Sequence, residues 1–367
     1  MNRTLRDADL SGTALEEVRG QLGSLLQGFG LAAQAQAIGD SFQAVFRESL
    51  AFPAGTGPTA PSRLSEDGGP IQFATALGTA RPSLRFVGDV GPVGGTGAER
   101  HEAAHRAMRE LAGIIGAGRE LDEVAALLDT FAPETAGALR RDPAGAFWLG
   151  AAFAQGAAPR LRLYLNGSWG DAAQCRDRIV AFADRFRLGP LWARVHEQLP
   201  DALTPLGLAL TLAPGETPVG AIYLRAFGLR MADYARIADV AAGPSAAQAI
   251  TQFGAALLGD EAAYPTPASV LSFGLGSLDR TAPDAELSAE LEVCGHCLFQ
   301  DDAEARARLL SAFATLDLDP GPYLTLAAAL ASSPHRPRPP RVHSFIGVGT
   351  KEAAPSFTVY MKPDLRG

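Results

Sequence analysis

The chain has 367 residues, of which 47% are hydrophobic and 20% charged. These are the proportions of a globular protein and exclude a disordered or fibrous one. A formal net charge of -8 argues against a nucleic-acid footprint. No apolar run reaches the ~18–20 residues of a membrane span. The three cysteines, Cys175, Cys294 and Cys297, are too few for a disulfide-held secreted scaffold. With no apolar leader core in Met1–Leu10, the expectation is a soluble, cytoplasmic protein with neither nucleic acid nor membrane as a partner. Of the 32 basic residues only Lys351 and Lys362 are lysine, so arginine is expected where a relative would carry lysine.

In chain order, a mostly helical Thr13–Phe52 region leads into a Pro/Gly/Thr-rich loop, Pro53–Arg63. Five pairs of strand signals follow, each with a short, turn-rich connection that favours an antiparallel hairpin. They are Ile71–Leu77 with Ser83–Val87, Ala146–Phe153 with Arg160–Asn166, and Pro205–Leu212 with Val219–Ala226. The last two are Val270–Leu275 with Glu286–Cys294, and Val342–Val348 with Ser356–Lys362. Between the pairs lie helix-period segments: Glu99–Ile115, Leu121–Leu139, Ala172–Gln198, Met231–Leu258 and Ala303–Ala331. The Pro334–Pro340 run reads as an extended basic connector. Five similar helix-strand-strand-helix units predict one α+β domain over residues 1–367, with 1–64 as a helical region and loop and 65–363 as the repeats.

Alternation within the strands predicts which face meets the helices. In Leu161–Asn166, Arg162, Tyr164 and Asn166 alternate with leucines. In Phe357–Lys362, Thr358, Tyr360 and Lys362 alternate with apolar residues, and Tyr223 and Arg225 oppose Ile222 and Leu224. Arg85 likewise opposes Leu84 and Phe86. Period two gives one apolar and one polar face, and the helices need the apolar one. An open sheet would show its polar face to water, whereas a ten-stranded barrel with helices outside would turn it into a lumen. Repeated Arg and Tyr on four strands favours the lumen.

Three stretches carry a resemblance: Ser65-Glu66-Asp67-Gly68-Gly69-Pro70-Ile71-Gln72-Phe73 followed by Leu84-Arg85-Phe86, then Arg162-Leu163-Tyr164-Leu165-Asn166, then Thr358-Val359-Tyr360-Met361-Lys362-Pro363. In order and spacing the chain resembles, from about Ser65 to Pro363, the aromatic prenyltransferases of the ABBA (PT-barrel) type, specifically the dimethylallyltryptophan synthase branch. The resemblance implies a ten-stranded antiparallel barrel of five αββα units. It implies transfer of a dimethylallyl, or longer prenyl, group from its diphosphate to an indole or tryptophan-type acceptor by carbocation capture, without magnesium or another cofactor. Arg85, Arg162, Arg225 and Lys362 are then the diphosphate-binding residues, each charge-assisted contact contributing roughly 1.5–3 kcal/mol. Tyr164, Tyr223 and Tyr360 form the carbocation shield, through cation–π contacts of about 0.5–2 kcal/mol each.

Gln72 stands where that family has a glutamate that accepts from the indole N–H and helps remove its proton. A glutamine accepts a hydrogen bond but is no base at neutral pH, so with Gln72 as the catalytic candidate either another group takes the proton or the acceptor differs from a simple indole. Glu66, Asp67 and His343 are the nearest alternatives for the proton. The fourth hairpin departs further, since Glu286, Ser288, Glu290 and Glu292 make one face acidic; it points outward, binds a positively charged acceptor, or marks divergence. Three other readings stand beside this one: a phenol, tyrosine or peptide acceptor, a non-catalytic barrel that binds a hydrophobic or peptide ligand, which these departures motivate, and a zinc hydrolase. The last rests on His101-Glu102-Ala103-Ala104-His105, an HExxH pattern, but the charged flanks Arg100 and Arg106 fit a solvated amphipathic helix better, and no metal site is expected. Cys294-Gly295-His296-Cys297 has redox-motif spacing without the βαβ context, and reads as two thiols at a strand end. Asp301, Asp302 and Glu304 read as acids opening a helix. The glycine-rich Gly88–Gly97 stretch reads as a loop, and Trp148, Trp169 and Trp192 as packing residues.

Overall fold

A computed structural model of the chain describes residues 12–62, 64–65, 67–79, 81–131, 147–167, 171–186, 189–198, 204–226, 229–258, 269–277, 288–331, 341–351 and 354–365. Met1–Leu10, Arg63, Glu66, Ala146, Trp169, Glu286, residues 132–139 and Pro334–Pro340 lie outside them.

The five expected hairpins are present. They are β1 (Ile71–Leu77) with β2 (Ser83–Asp89), β3 (Phe147–Ala154) with β4 (Arg160–Asn166), β5 (Thr204–Leu212) with β6 (Val219–Ala226), β7 (Ser269–Ser277) with β8 (Ser288–Cys294), and β9 (His343–Lys351) with β10 (Ala354–Met361). Every strand pairs antiparallel with its sequence neighbours, and β1 pairs with β10, so the sheet closes into a ten-stranded barrel without an edge.

Helices α1 (Ala14–Gly28) and α2 (Ala35–Phe46) precede the barrel. Between hairpins come α3 (Gly97–Ile115) and α4 (Gly118–Phe131), α5 (Ala172–Arg185) and α6 (Gly189–Gln198), α7 (Met231–Ala242) and α8 (Pro244–Leu258), then α9 (Asp302–Thr315) and α10 (Gly321–Ala331). Capping boxes start three of them: Thr13 with Glu16, Thr96 with Glu99, and Asp171 with Gln174. Three of the helix-period segments, Ala172–Gln198, Met231–Leu258 and Ala303–Ala331, each hold two helices. Pro190 sits just inside the start of α6, Pro244 opens α8 after Gly243 at φ 86, and Pro320 and Pro322 bracket the start of α10. Proline has no N–H for a helix interior but suits a first turn, so each proline starts a new helix.

The core lies between the helices and the outward faces of the strands. Leu161, Leu163 and Leu165 are buried while Arg162 and Tyr164 between them turn the other way. Phe42 and Phe46 of α2 pack on Phe86 of β2 at ring-centroid distances of 5.6 and 5.7 Å, and Phe42 stacks on Phe73 of β1 at 6.2 Å. Gly88 is required here. The ring of Phe46 lies directly on it, and a Cβ would also come within 2.8 Å of the Pro70 carbonyl oxygen. Because backbone cannot yield as a flexible side chain would, Gly88→Ala is expected to cost about 1–3 kcal/mol. Urea denaturation should show a lower midpoint at unchanged slope; an unchanged midpoint would contradict this packing.

Candidate active site

Cross-strand partners share a face, so the register identifies the inward one. Gln72, Val87, Gly150, Arg162 and Thr211 are linked in one row across β1 to β5. Asn166, Gly207, Tyr223, Ser272 and Glu290 form a second row across β4 to β8. Arg225, Val270, Glu292, Gly347 and Thr358 form a third, across β6 to β10. Trp148 pairs with Tyr164, and Phe345 with Tyr360. The polar face therefore points into the lumen, as the alternation implied.

The lumen has two compartments. Toward the hairpin turns it opens into a cavity of about 700 Å³, lined by Arg81, Ser83, Arg85, Arg160, Arg162, Thr211 and Glu216 among others. Deeper in is a space of about 100 Å³, lined by residues that include Gln72, Trp148, Tyr164, Tyr223, Arg225, Glu292, Phe345 and Tyr360. Arg162 joins them. Its guanidinium donates to the Tyr223 hydroxyl at 3.3 Å and its Cζ lies 5.2 Å from the centre of the Tyr164 ring. The Tyr164 and Tyr223 rings meet edge to face at 5.9 Å. Burial opposes the Arg162 charge, but the surrounding phenols and the Glu290 carboxylate outweigh it and hold the guanidinium protonated. Burial pushes the phenols of Tyr164, Tyr223 and Tyr360 above their ordinary value, so they stay neutral.

Gln72 is fixed by its amide nitrogen, which donates to the Leu64 carbonyl at 2.9 Å and to Ser344 Oγ at 2.8 Å. That leaves its Oε1 as the acceptor on the cavity side. Arg85 donates to Ser83 Oγ at 3.2 Å and lines the wide compartment with Arg162. Arg225 lines the deep compartment and is exposed at its far end. Lys362 is buried, 1% exposed, with its Nζ 2.5 Å from Asp67 Oδ2. Burial opposes ionisation of Asp67, but the Lys362 ammonium and the Gly69 amide hold the carboxyl below its usual range. So Arg85 and Arg162 come together, Tyr164, Tyr223, Tyr360 and Gln72 surround the deep compartment, and Lys362 is tied to a loop carboxylate.

Sequence reasoning missed Arg81, Arg160 and Trp148 as lining residues and left the acidic hairpin unoriented. The apolar alternates Ala289, Leu291 and Val293 carried the needed signal. They are buried against the helices, so Glu290 and Glu292 face inward. Tyr360 Oη donates to Glu292 Oε1 at 3.0 Å. Burial and the adjacent Glu290 push Glu292 up to about 8, against the hydrogen bond from Tyr360 and the charges of Arg162 and Arg85.

The other motifs lie elsewhere. The rings of His101 and His105 lie 4.4 Å apart between centroids, and both pack on Phe147, at centroid distances of 5.5 and 5.2 Å. Arg100 beside them is buried against Asp89 at 3.5 Å. No cluster of three metal-ligating side chains occurs among the described residues. Cys294 is buried at the end of β8, followed by one helical turn, Gly295–Leu298, that exposes Cys297. Asp301 caps α9, accepting from the Glu304 amide at 2.8 Å. Asp302 accepts from His343 Nδ1 at 2.7 Å, and His343 Nε2 meets the Tyr323 hydroxyl at 2.9 Å. His343 is thereby committed to the helix side of the sheet. Trp192 packs against the core. No helix among the described residues is long and apolar enough to cross a membrane.

No family model and no curated protein matches the chain. Solved structures do. 6-Dimethylallyltryptophan synthase from Micromonospora olivasterospora, in complex with DMASPP and Trp, is similar with a TM-score of 0.80 at 20% identity, covering 97% of this chain and 99% of that one. 5-Dimethylallyltryptophan synthase from Streptomyces coelicolor is similar with a TM-score of 0.79 at 21% identity, covering 97% and 99%. PriB in a binary complex with product diphosphate is similar with a TM-score of 0.78 at 22% identity, covering 97% and 98%. Over nearly its whole length, then, the chain has the fold of the aromatic prenyltransferases of the ABBA type, the closed ten-stranded PT barrel.

Proposed function

We propose that the lumen transfers a dimethylallyl group, or a longer prenyl group, from its diphosphate to an indole or tryptophan-type acceptor. The observation that carries this reading is that Arg85 and Arg162 line one compartment of the lumen and Tyr164, Tyr223 and Tyr360 the adjoining one, with Arg162 touching two of those rings. Leaving diphosphate is strongly anionic, and fixed guanidinium groups stabilise it as it departs. The allylic cation left behind faces tyrosine rings, which stabilise it through their π faces, while the barrel wall keeps water from capturing it. Gln72 Oε1 is the acceptor for an indole N–H, and Trp148 offers the ring a surface to stack on.

The tryptophan synthases of the same fold bind DMASPP and Trp, which supports the same donor and acceptor classes here. The arginine wall supplies the charge compensation that a magnesium ion supplies elsewhere, so the reaction proceeds without metal. Three cysteines in the thiol form suit a reducing cytoplasm. The second reading, a phenol or peptide acceptor, is favoured by the exposure of Arg225 at one end of the deep compartment, where a carboxylate or chain could pass outward.

The test is incubation with dimethylallyl or geranyl diphosphate and a panel of indoles, phenols and Trp- or Tyr-containing peptides, with EDTA present and products weighed by mass spectrometry. An indole product heavier by one prenyl unit is expected. A phenol product alone would select the second reading. Loss of all transfer in EDTA, restored by magnesium, would overturn the metal-independent mechanism.

A further inference from the structure

Capture of an allylic cation by an aromatic ring leaves a proton to remove; of the groups that sequence reasoning offered for it, Glu66 lies outside the described residues and the others are committed elsewhere. Gln72 is an amide. Asp67 is ion-paired with Lys362 at 2.5 Å. His343 is held between Asp302 and Tyr323, away from the lumen. Among the described residues that line the deep compartment, the one carboxylate is Glu292. It stands there with Gln72, Trp148 and Tyr360, and the Tyr360 hydroxyl fixes one of its oxygens at 3.0 Å. Gly347 pairs with it on the next strand, and the Glu290 side chain lies over that glycine.

We infer that Glu292 is the proton acceptor of the transfer, a role that rests on the prenyl-transfer reading above. The C–O bond of the allylic diphosphate breaks with its electron pair going to the diphosphate. A π pair of the ring then forms the new C–C bond. The C–H bond at that carbon returns its electrons to the ring, and its proton passes to the Glu292 carboxylate. Gln72 orients the ring and Glu292 completes the reaction.

The consequence for pH follows from the groups that face Glu292. Glu290 lies on its own strand, Tyr360 on β10, Tyr164 and Arg162 on β4, Arg85 on β2, and Tyr223 with Arg225 on β6. Burial and Glu290 raise its pKa to about 8, against the hydrogen bond from Tyr360 and the charges of Arg162 and Arg85. Below that value Glu292 is protonated and cannot take a proton, so kcat/KM rises as pH increases through about 8.

The experiment compares wild type with Glu292→Gln, using dimethylallyl diphosphate and tryptophan with ordinary or ring-deuterated carbons. Glutamine keeps an acceptor for the Tyr360 hydroxyl, and removing a negative charge does not weaken donor binding. The expected result is a loss in kcat on the order of 100-fold or more, disappearance of the rise near pH 8, and a new deuterium effect as proton loss becomes limiting. Adding Gln72→Glu to that variant should restore part of the rate, by returning a carboxylate to the same compartment. An active wild type with an equally active Glu292→Gln overturns the assignment and leaves the prenyl-transfer reading intact. A wild-type kcat/KM flat from about pH 6 to about pH 10 overturns it without any variant. A wild type that prenylates no aromatic acceptor overturns both.

Discussion

Arg162→Ala is expected to weaken donor binding by about 10- to 150-fold while leaving the barrel folded. The figure is the roughly 1.5–3 kcal/mol of a charge-assisted hydrogen bond, converted at about 1.4 kcal/mol per tenfold. Arg162 is singled out because it borders both compartments: it lines the wide cavity and touches Tyr223 and Tyr164 of the deep one. On the proposed function, its removal takes away a phosphate ligand and the group that touches two rings of the shield. Arg162→Lys should fall between the two, since a lysine keeps the charge but loses the planar fork. Calorimetry with dimethylallyl thiolodiphosphate in EDTA checks this directly. Unchanged affinity in Arg162→Ala would remove that residue from the donor site. Arg85→Ala is the internal comparison, because Arg85 lines the same wide compartment from β2, where it donates to Ser83 Oγ.

The largest stability effect is expected at Phe86. It is 1% exposed and sits among Phe42, Phe46 and Phe153 at 5.6, 5.7 and 6.1 Å. Truncating such a ring to alanine costs about 3–5 kcal/mol, because the surrounding rings close the cavity only partly. Against a total stability of about 5–15 kcal/mol, that is a severe loss. Phe86 also joins structure to function, since the next residue toward the hairpin turn is Arg85, which faces the lumen. A shift of β2 relative to α2 therefore displaces the donor wall. Urea denaturation of Phe86→Ala should show a much lower midpoint; a midpoint within experimental scatter of wild type would mean that α2 does not anchor β2.

The sequence made the barrel legible through particular strands. In β4 and β10 the alternation was regular, and Arg162, Tyr164 and Tyr360 fell on the lumen face as expected. Hairpin boundaries were close because turn residues such as Pro214-Gly215 punctuate them. The breaks within the helix-period segments were not located, because periodicity runs on past a Gly-Pro step while backbone geometry does not. Arg160 was legible in principle, two residues from Arg162 on the same face. The pairing of Lys362 with Asp67 was not, because alternation assigns a face but no partner. Gln72 could be recognised as no base, yet its replacement could not be located from sequence. Glu292 belongs to β8, far along the chain from β1, and only closure of the barrel brings them to one compartment.

The account centres on an allylic cation formed inside this barrel and trapped by an aromatic ring. The most direct measurement is the rate of tryptophan prenylation, by mass spectrometry in EDTA, from dimethylallyl diphosphate and from its analogue with fluorine on the allyl unit. Fluorine destabilises the cation, so the account predicts prenylated tryptophan from the natural donor and a rate lower by on the order of 100-fold from the fluorinated one, about 2.7 kcal/mol in the barrier. No transfer from the natural donor, or equal rates from both, would contradict it.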